Sequence, residues 1–301
     1  MNKSFKGLHK LTRFNEYIYF VIITTLLGIA SARGELDWRF LIVLTANWLA
    51  VGFAFMINDI EDAPDDALSP SKVNRNPVSA GLITPKTARI WTFLVGVLSA
   101  ALFALLGTMP FILGMVSLIL GYLYSAKAVR LKTMALFDVL SHCLMLAGLQ
   151  FLTGYFTYQS QLNRQWFWPF AFVMAISIYG EIYNEIRDFE GDTAANLRHT
   201  AIVLGSKASH VLMFGILLIG IFSGFVSFVL IDLVPMWVFL VMAGLALIFI
   251  LPPVIKIRHG DGSMAIQGSL QKPLERAAAI ALLLQFILPW LNQVLDLGLF
   301  K

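Results

Sequence analysis

Nine apolar runs constrain this chain more than any other feature. They lie at roughly 17–32, 40–57, 88–107, 111–124, 135–156, 167–183, 211–231, 234–254 and 277–291, joined by short polar turns. Only 13% of the 301 residues are charged, against about 25% in a soluble domain, and the mean hydropathy is +0.77. A soluble fold would leave far too much apolar surface in water, so the runs are read as membrane spans. Lipid offers a backbone no hydrogen-bonding partner, and the runs lack the period-2 alternation of a barrel. The spans are therefore expected to be helices, in an all-α polytopic membrane protein.

Lys and Arg orient these spans. With nine crossings, the N-terminus and alternate loops share one side, and that side holds 18 of the 22 Lys and Arg. By the positive-inside rule it is cytoplasmic, in a protein of the cell (inner) membrane. The net charge of +4 then reflects topology and calls for no nucleic-acid partner. Basic residues before the first run, with Ala30-Ser31-Ala32 after it, imitate a secretory signal, but the run is long and is read as a retained span. A lone Cys143 excludes an internal disulfide.

Two acidic segments 126 residues apart follow the second and sixth runs. Asn58-Asp59-Ile60-Glu61-Asp62-Ala63-Pro64-Asp65-Asp66 and Asn184-Glu185-Ile186-Arg187-Asp188-Phe189-Glu190-Gly191-Asp192 both read N-[D/E]-x-x-D-x-x-x-D. Together they hold nine of the 18 Asp and Glu, which makes them the chain's principal polar feature. The four-span offset predicts a parallel internal repeat within a single domain 1–301, about 15–125 and 134–254. Two four-helix halves plus a ninth helix would then surround a central cavity.

Residues at i, i+4 and i+8 stay on one helix face. Asn58, Asp62 and Asp66 form one stripe with Asp59 beside it, and Asn184, Asp188 and Asp192 form another with Glu185 beside it. Pro64 is expected to kink or end the first helix. Carboxylates beside apolar sequence are costly unless they meet cations or water. Mg²⁺ takes oxygen ligands and often binds through few carboxylates plus substrate phosphates, which suits a metal-bridged diphosphate. Basic residues on the same side could complete it: Lys72 and Arg75, the stretch from Tyr124 through Lys127 and Arg130 to Lys132, and Arg198. Any one of these could equally be a topology anchor. Within the spans, Asn47 fits interhelical hydrogen bonding, and the Asp138–His142 pair reads as a packed polar contact.

These residues resemble the UbiA superfamily of intramembrane prenyltransferases. Its N-D-x-x-D-x-x-x-D signature is met by Asn58, Asp59, Asp62 and Asp66, and its D-x-x-x-D by Asp188 and Asp192. Tyr124 and Lys127 match its Tyr–Lys element. One departure is Arg75-Asn76-Pro77, where the family has Arg-Pro; another is Glu185, in place of the first copy's Asp. The second motif is more similar to branches that prenylate homogentisate, chlorophyllide or glycerol ethers than to the hydroxybenzoate branch.

The resemblance implies Mg²⁺-dependent transfer of a prenyl group from a prenyl diphosphate to a lipophilic acceptor, aromatic or polyene, through an allylic cation. Metal contacts would fall to Asn58, Asp59, Asp62, Asp66, Asn184, Glu185, Asp188 and Asp192. Diphosphate contacts would fall to Asn58, Lys72, Arg75, Tyr124, Lys127, Arg130, Asn184 and Arg198, with Asp59, Asp62, Asp188 and Lys127 closest to the chemistry. Arg13 and Asn15, at the entrance to the first span, could touch an acceptor, though topology anchoring fits them as well. A diphosphate-using transferase of the CDP-alcohol type would need D-G-x-x-A-R, which is absent. A secondary transporter is the remaining alternative, and its acids should lie near mid-bilayer rather than at one edge.

Overall fold

A computed structural model describes residues 3–68, 70, 72–194, 198–256 and 263–296, and these form helices and turns without a strand. The nine spans become nine long helices, and two short ones join them. In order they are α1 (Lys3–Leu11), α2 (Phe14–Ser31), α3 (Trp38–Asp66), α4 (Pro85–Leu105), α5 (Thr108–Ser125), α6 (Phe137–Phe156), α7 (Phe167–Ala194), α8 (Thr200–Leu204), α9 (Ser206–Leu230), α10 (Met236–Lys256) and α11 (Ser263–Leu295). Eight are long and apolar enough to cross a membrane. The ninth, α7, has 28 residues and carries Glu181, Asn184, Glu185 and Asp188 along its second half.

Local chemistry explains the ends. Asp37 caps α3 by accepting from the Arg39 and Phe40 amides, and Thr84 caps α4 ahead of Pro85 at its first turn. Gly107, at φ 113°, supplies the left-handed link between α4 and α5 that a side chain would resist. Pro64 does not stop α3, which runs two residues further to Asp66. With 29 residues, α3 is about 43 Å long, against a hydrocarbon thickness of about 30 Å. Its last turns therefore project past the apolar layer and take the first acidic motif to the rim. The second half of α7 does the same for the second motif.

Helices α2, α3 and α6 cross closely. A Cβ on Gly28 would lie 2.1 Å from the Phe151 carbonyl oxygen, and one on Gly154 would lie 2.6 Å from that of Thr25. Two glycines thus let α2 and α6 touch backbone to backbone, as helices packed in lipid require. Asn47 fastens the crossing. It donates to Thr25 Oγ1 at 2.8 Å and to the Gln150 carbonyl at 3.2 Å, and it accepts from Thr153 at 2.8 Å. One residue further round, α6 makes a π turn over Leu144–Gly148, and Gln150 donates to the freed Met145 carbonyl at 2.7 Å.

The crossing forms the main apolar core, with Leu26, Ile29, Val43, Phe151, Tyr155 and Phe286 among its buried members. Leu240, Leu247, Ile248 and Leu251 of α10 are exposed, as a face turned to lipid should be. Inside the bundle lies a cavity of about 1070 Å³ walled chiefly by α2, α7, α10 and α11. A smaller one of about 150 Å³ lies among α3, α5 and α6. Phe55, His142 and Leu146 line both.

Gly28→Ala should force the α2–α6 crossing apart and cost about 1–3 kcal/mol. Gly244→Ala, where a Cβ meets nothing within 4 Å, should leave the thermal midpoint in detergent unchanged. Equal midpoints for the two variants would refute the close crossing.

Candidate functional site

The first motif is held by the loop after α5. Lys132 donates to Asn58 Oδ1 at 3.0 Å and to Asp62 Oδ1 at 2.6 Å, and Ser125 also donates to Asn58 Oδ1 at 3.1 Å. Arg130 reaches Asp62 at 3.3 Å and Asp65 at 3.1 Å. Its own backbone sits at φ 51°, in the left-handed region that non-glycine residues usually avoid. Burial holds the Lys132 ammonium below the ordinary lysine pKa, and the neighbouring Asp62 carboxylate only partly offsets this.

Asp59 and Asp66 go elsewhere. Asp59 is 3% exposed, with Oδ1 3.7 Å from Arg13 Nη1 and Oδ2 unpartnered. Asp66 accepts from Asn76 Nδ2 at 2.9 Å. The same nitrogen donates to the Asp59 carbonyl at 2.7 Å, while Asn76 Oδ1 accepts from the Val78 amide at 2.9 Å. The extra residue in Arg75-Asn76-Pro77 is therefore a buried brace that folds the following loop onto the end of α3.

The second motif is built differently. Glu185 is buried and accepts from His199 Nδ1 at 3.1 Å and from the Ala201 amide at 2.8 Å. Asp192 meets His199 Nε2 at 3.0 Å. Asp138 accepts from the Thr200 amide at 2.6 Å. Ligand atoms of Asp138, Glu185 and His199 lie within 4.8 Å of one another. Each already has a protein partner, and together they pin α8 between α6 and α7. Asp188 is exposed beside Arg187, at 2.9 Å, and Asn184 lines the large cavity.

The basic residues divide in the same way. Arg75 pairs with Glu16 at 3.2 Å, and both line the large cavity. Tyr124 lines the small cavity and donates to Glu181 Oε1 at 3.5 Å. Lys72, Lys127 and Arg198 are exposed, and among the described residues none of them bonds to either motif. Lys132, Asn76, His199 and Glu181 were not singled out by spacing. Lys132 ends the quoted Tyr124 stretch and His199 follows Arg198, so for these two the signal was present but undivided. Asn76 stood out only as an insertion between Arg75 and Pro77, and nothing in the sequence marked Glu181.

Burial alone would lower the His199 pKa, but its two carboxylate partners outweigh burial and hold it above the ordinary imidazole value. A raised pKa gives stabilisation that is full below the unfolded value of about 6.5 and is lost as pH rises through the folded value. In chelator, the thermal midpoint of the parent should exceed that of His199→Gln at pH 6, and the gap should narrow as pH rises past the raised pKa. A gap that widens with pH would contradict a charged His199.

Among solved structures, the chain is similar to a UbiA homolog from Archaeoglobus fulgidus bound to GPP and Mg²⁺, at 19% identity and a TM-score of 0.71 over 93% of this chain and 98% of that one. An apo UbiA homolog from Aeropyrum pernix K1 matches at 16% identity and 0.69, over 91% and 98%. A structure described for digeranylgeranylglyceryl phosphate synthase in membranes matches at 18% and 0.66, over 95% and 99%. No functionally curated protein matches in sequence. These likenesses carry the fold. The profile of the UbiA prenyltransferase family matches residues 21–267, and the chain belongs to that family.

Proposed function

We propose that this protein transfers a prenyl group from a prenyl diphosphate to a lipophilic acceptor of the aromatic or polyene kind, within the membrane and with Mg²⁺. The observation that carries this reading is the Lys132 ammonium seated between Asn58 Oδ1 and Asp62. A cation already stands in this oxygen nest, and the amide and carboxylate donors suit a hard divalent ion. The similar A. fulgidus proteins with bound GPP or DMAPP and Mg²⁺ support the same chemistry.

Asn58, Asp62 and Asp66 on α3, with Asn184, Asp188 and Asp192 on α7, are the oxygen donors we assign to the ion. Asp59 and Glu185, turned into buried contacts, would complete the set of oxygen donors assigned to the ion. When bound, Mg²⁺ supplies positive charge that stabilises the leaving diphosphate. Arg130, Lys132 and Arg75 offer N–H donors to that diphosphate, with Lys72, Lys127 and Arg198 at the exposed margin. The donor's C1–O bond breaks with its electron pair leaving on the diphosphate. The acceptor then attacks the allylic cation and loses a proton. Phe20, Leu27, Phe172, Ile176, Phe228 and Met242 line the large cavity, where they hold the apolar tail and keep water from the cation. We place this face in the cytoplasm, from the Lys and Arg bias, and read 15–125 and 134–254 as parallel halves that each contribute one motif.

Purified protein with Mg²⁺, labelled prenyl diphosphates and an acceptor panel should release diphosphate and yield prenylated product; no release under any condition would overturn the reading. Asp62→Ala and Asp188→Ala should each abolish Mg²⁺-dependent diphosphate binding, and full binding in both would rule out a shared site. Lys132→Met should bind Mg²⁺ alone more tightly, because the competing ammonium is gone, yet bind the donor about tenfold more weakly. Unchanged binding of both would show that Lys132 takes no part.

A further inference from the structure

One cluster of titratable groups lies outside both motifs and is unused by the scheme above. Glu181 Oε1 is 3.4 Å from His142 Nδ1 and 3.5 Å from the Tyr124 hydroxyl. Three helices supply these groups: α7, α6 and α5. Glu181 lines the large cavity, Tyr124 lines the small one, and His142 lines both. His142 Nδ1 is buried and has no hydrogen-bond partner of good geometry. Glu181 lies on the apolar side of the second motif and lines a cavity walled mostly by apolar residues, where a carboxylate is costly unless it is paired or used. Two long contacts on one oxygen do not exhaust its capacity to accept a proton.

Its level in the bundle fits a particular use. Glu181 precedes Asn184 by three residues, about 4.5 Å along α7 toward the apolar side. Phe55 precedes Asn58 by the same three residues on α3 and lines both cavities. The level next to the two motif asparagines therefore carries an aromatic ring from one helix and a carboxylate from the other. A prenyl C1 attached to a diphosphate among the motifs would enter this level.

We propose that Glu181 is the proton acceptor that completes the transfer, with His142 positioning it; this rests on the prenyl-transfer reading above. The donor's C1–O pair departs with the diphosphate, and an acceptor pair forms the new bond to C1. The acceptor's hydrogen then passes as a proton to Glu181, leaving its bonding pair behind. No oxidant or further reactant is needed. Tyr124 steadies the same carboxylate from the small-cavity side.

The proposal can be tested without knowing the acceptor, using the full chain, Mg²⁺ and geranyl diphosphate. A base beside the allylic cation should draw some of it to hydrocarbon by proton loss, while water capture gives alcohol. Glu181→Gln should keep diphosphate release within roughly threefold of the parent while the hydrocarbon fraction falls about 100-fold. Formate should restore hydrocarbon formation in Glu181→Ala, and His142→Asn should lower it without responding to formate. An unchanged hydrocarbon fraction in Glu181→Gln, or alcohol as the parent's sole product, would overturn the assignment. Loss of diphosphate release in step with hydrocarbon would also overturn it, placing Glu181 in packing or donor binding. A parent that releases no diphosphate would instead remove the prenyl-transfer reading itself.

Discussion

A carboxylate at the edge of a bilayer must find a cation, a donor or water, and that requirement organises the motif-bearing end of this protein. α3 and α7 carry their acids past the apolar layer, and the loops between helices fold to meet them. Lys132 and Arg130 bend back onto Asn58, Asp62 and Asp65. Asn76 closes on Asp66, and His199 bridges Glu185 and Asp192. Without such partners a buried acid such as Glu185 would be left as an uncompensated charge. The loops are thus held by the charges they neutralise, each motif by the loop that folds onto it.

The two motifs match in spacing but not in surroundings. The Lys132 ammonium and the Arg130 guanidinium face the first, and such groups pair with a phosphate oxygen as well as with a carboxylate. In the second, Glu185 and Asp192 are tied to the His199 imidazole and Glu185 also to the Ala201 amide of α8, while Asn184 and Asp188 stay exposed. The candidate site therefore meets side-chain cations on α3 and, at Glu185 of α7, the more rigid tie to α8. The buried Asp138–Thr200 contacts add to that rigidity, and they suit Asp138 to structure better than to ligand binding.

Much of this was legible in the sequence. The nine spans and their order follow from apolar run length, because lipid leaves the backbone no alternative to a helix. What escaped was whatever depends on a neighbour. The π turn at Leu144–Gly148 shifts the register by one residue, too little to disturb an apolar run. Helix α1 is too polar, and α8 too short, to register as a run. Pro64, expected to kink or end α3, falls in its last turn, and the helix runs two residues further to Asp66, which Asn76 braces. Lys127 and Lys132 are indistinguishable by charge and proximity, and only the left-handed turn at Arg130 sends the second toward Asp62. Asn76 looked like an interruption because its four hydrogen-bonding partners lie on another segment or are backbone groups.

Glu181 shows the same limit and also where function departs from symmetry. Repeat spacing draws the eye to residues that recur, and metal and diphosphate binding can be shared between equivalent positions. Proton removal cannot be shared, because one proton leaves one side of one acceptor. A site assembled from two like motifs must therefore break its likeness where the transfer ends. In this chain the break comes three residues before each motif, with Phe55 on one helix and Glu181 on the other. The ring suits a passing cation, through its quadrupole, and the carboxylate suits the proton that follows.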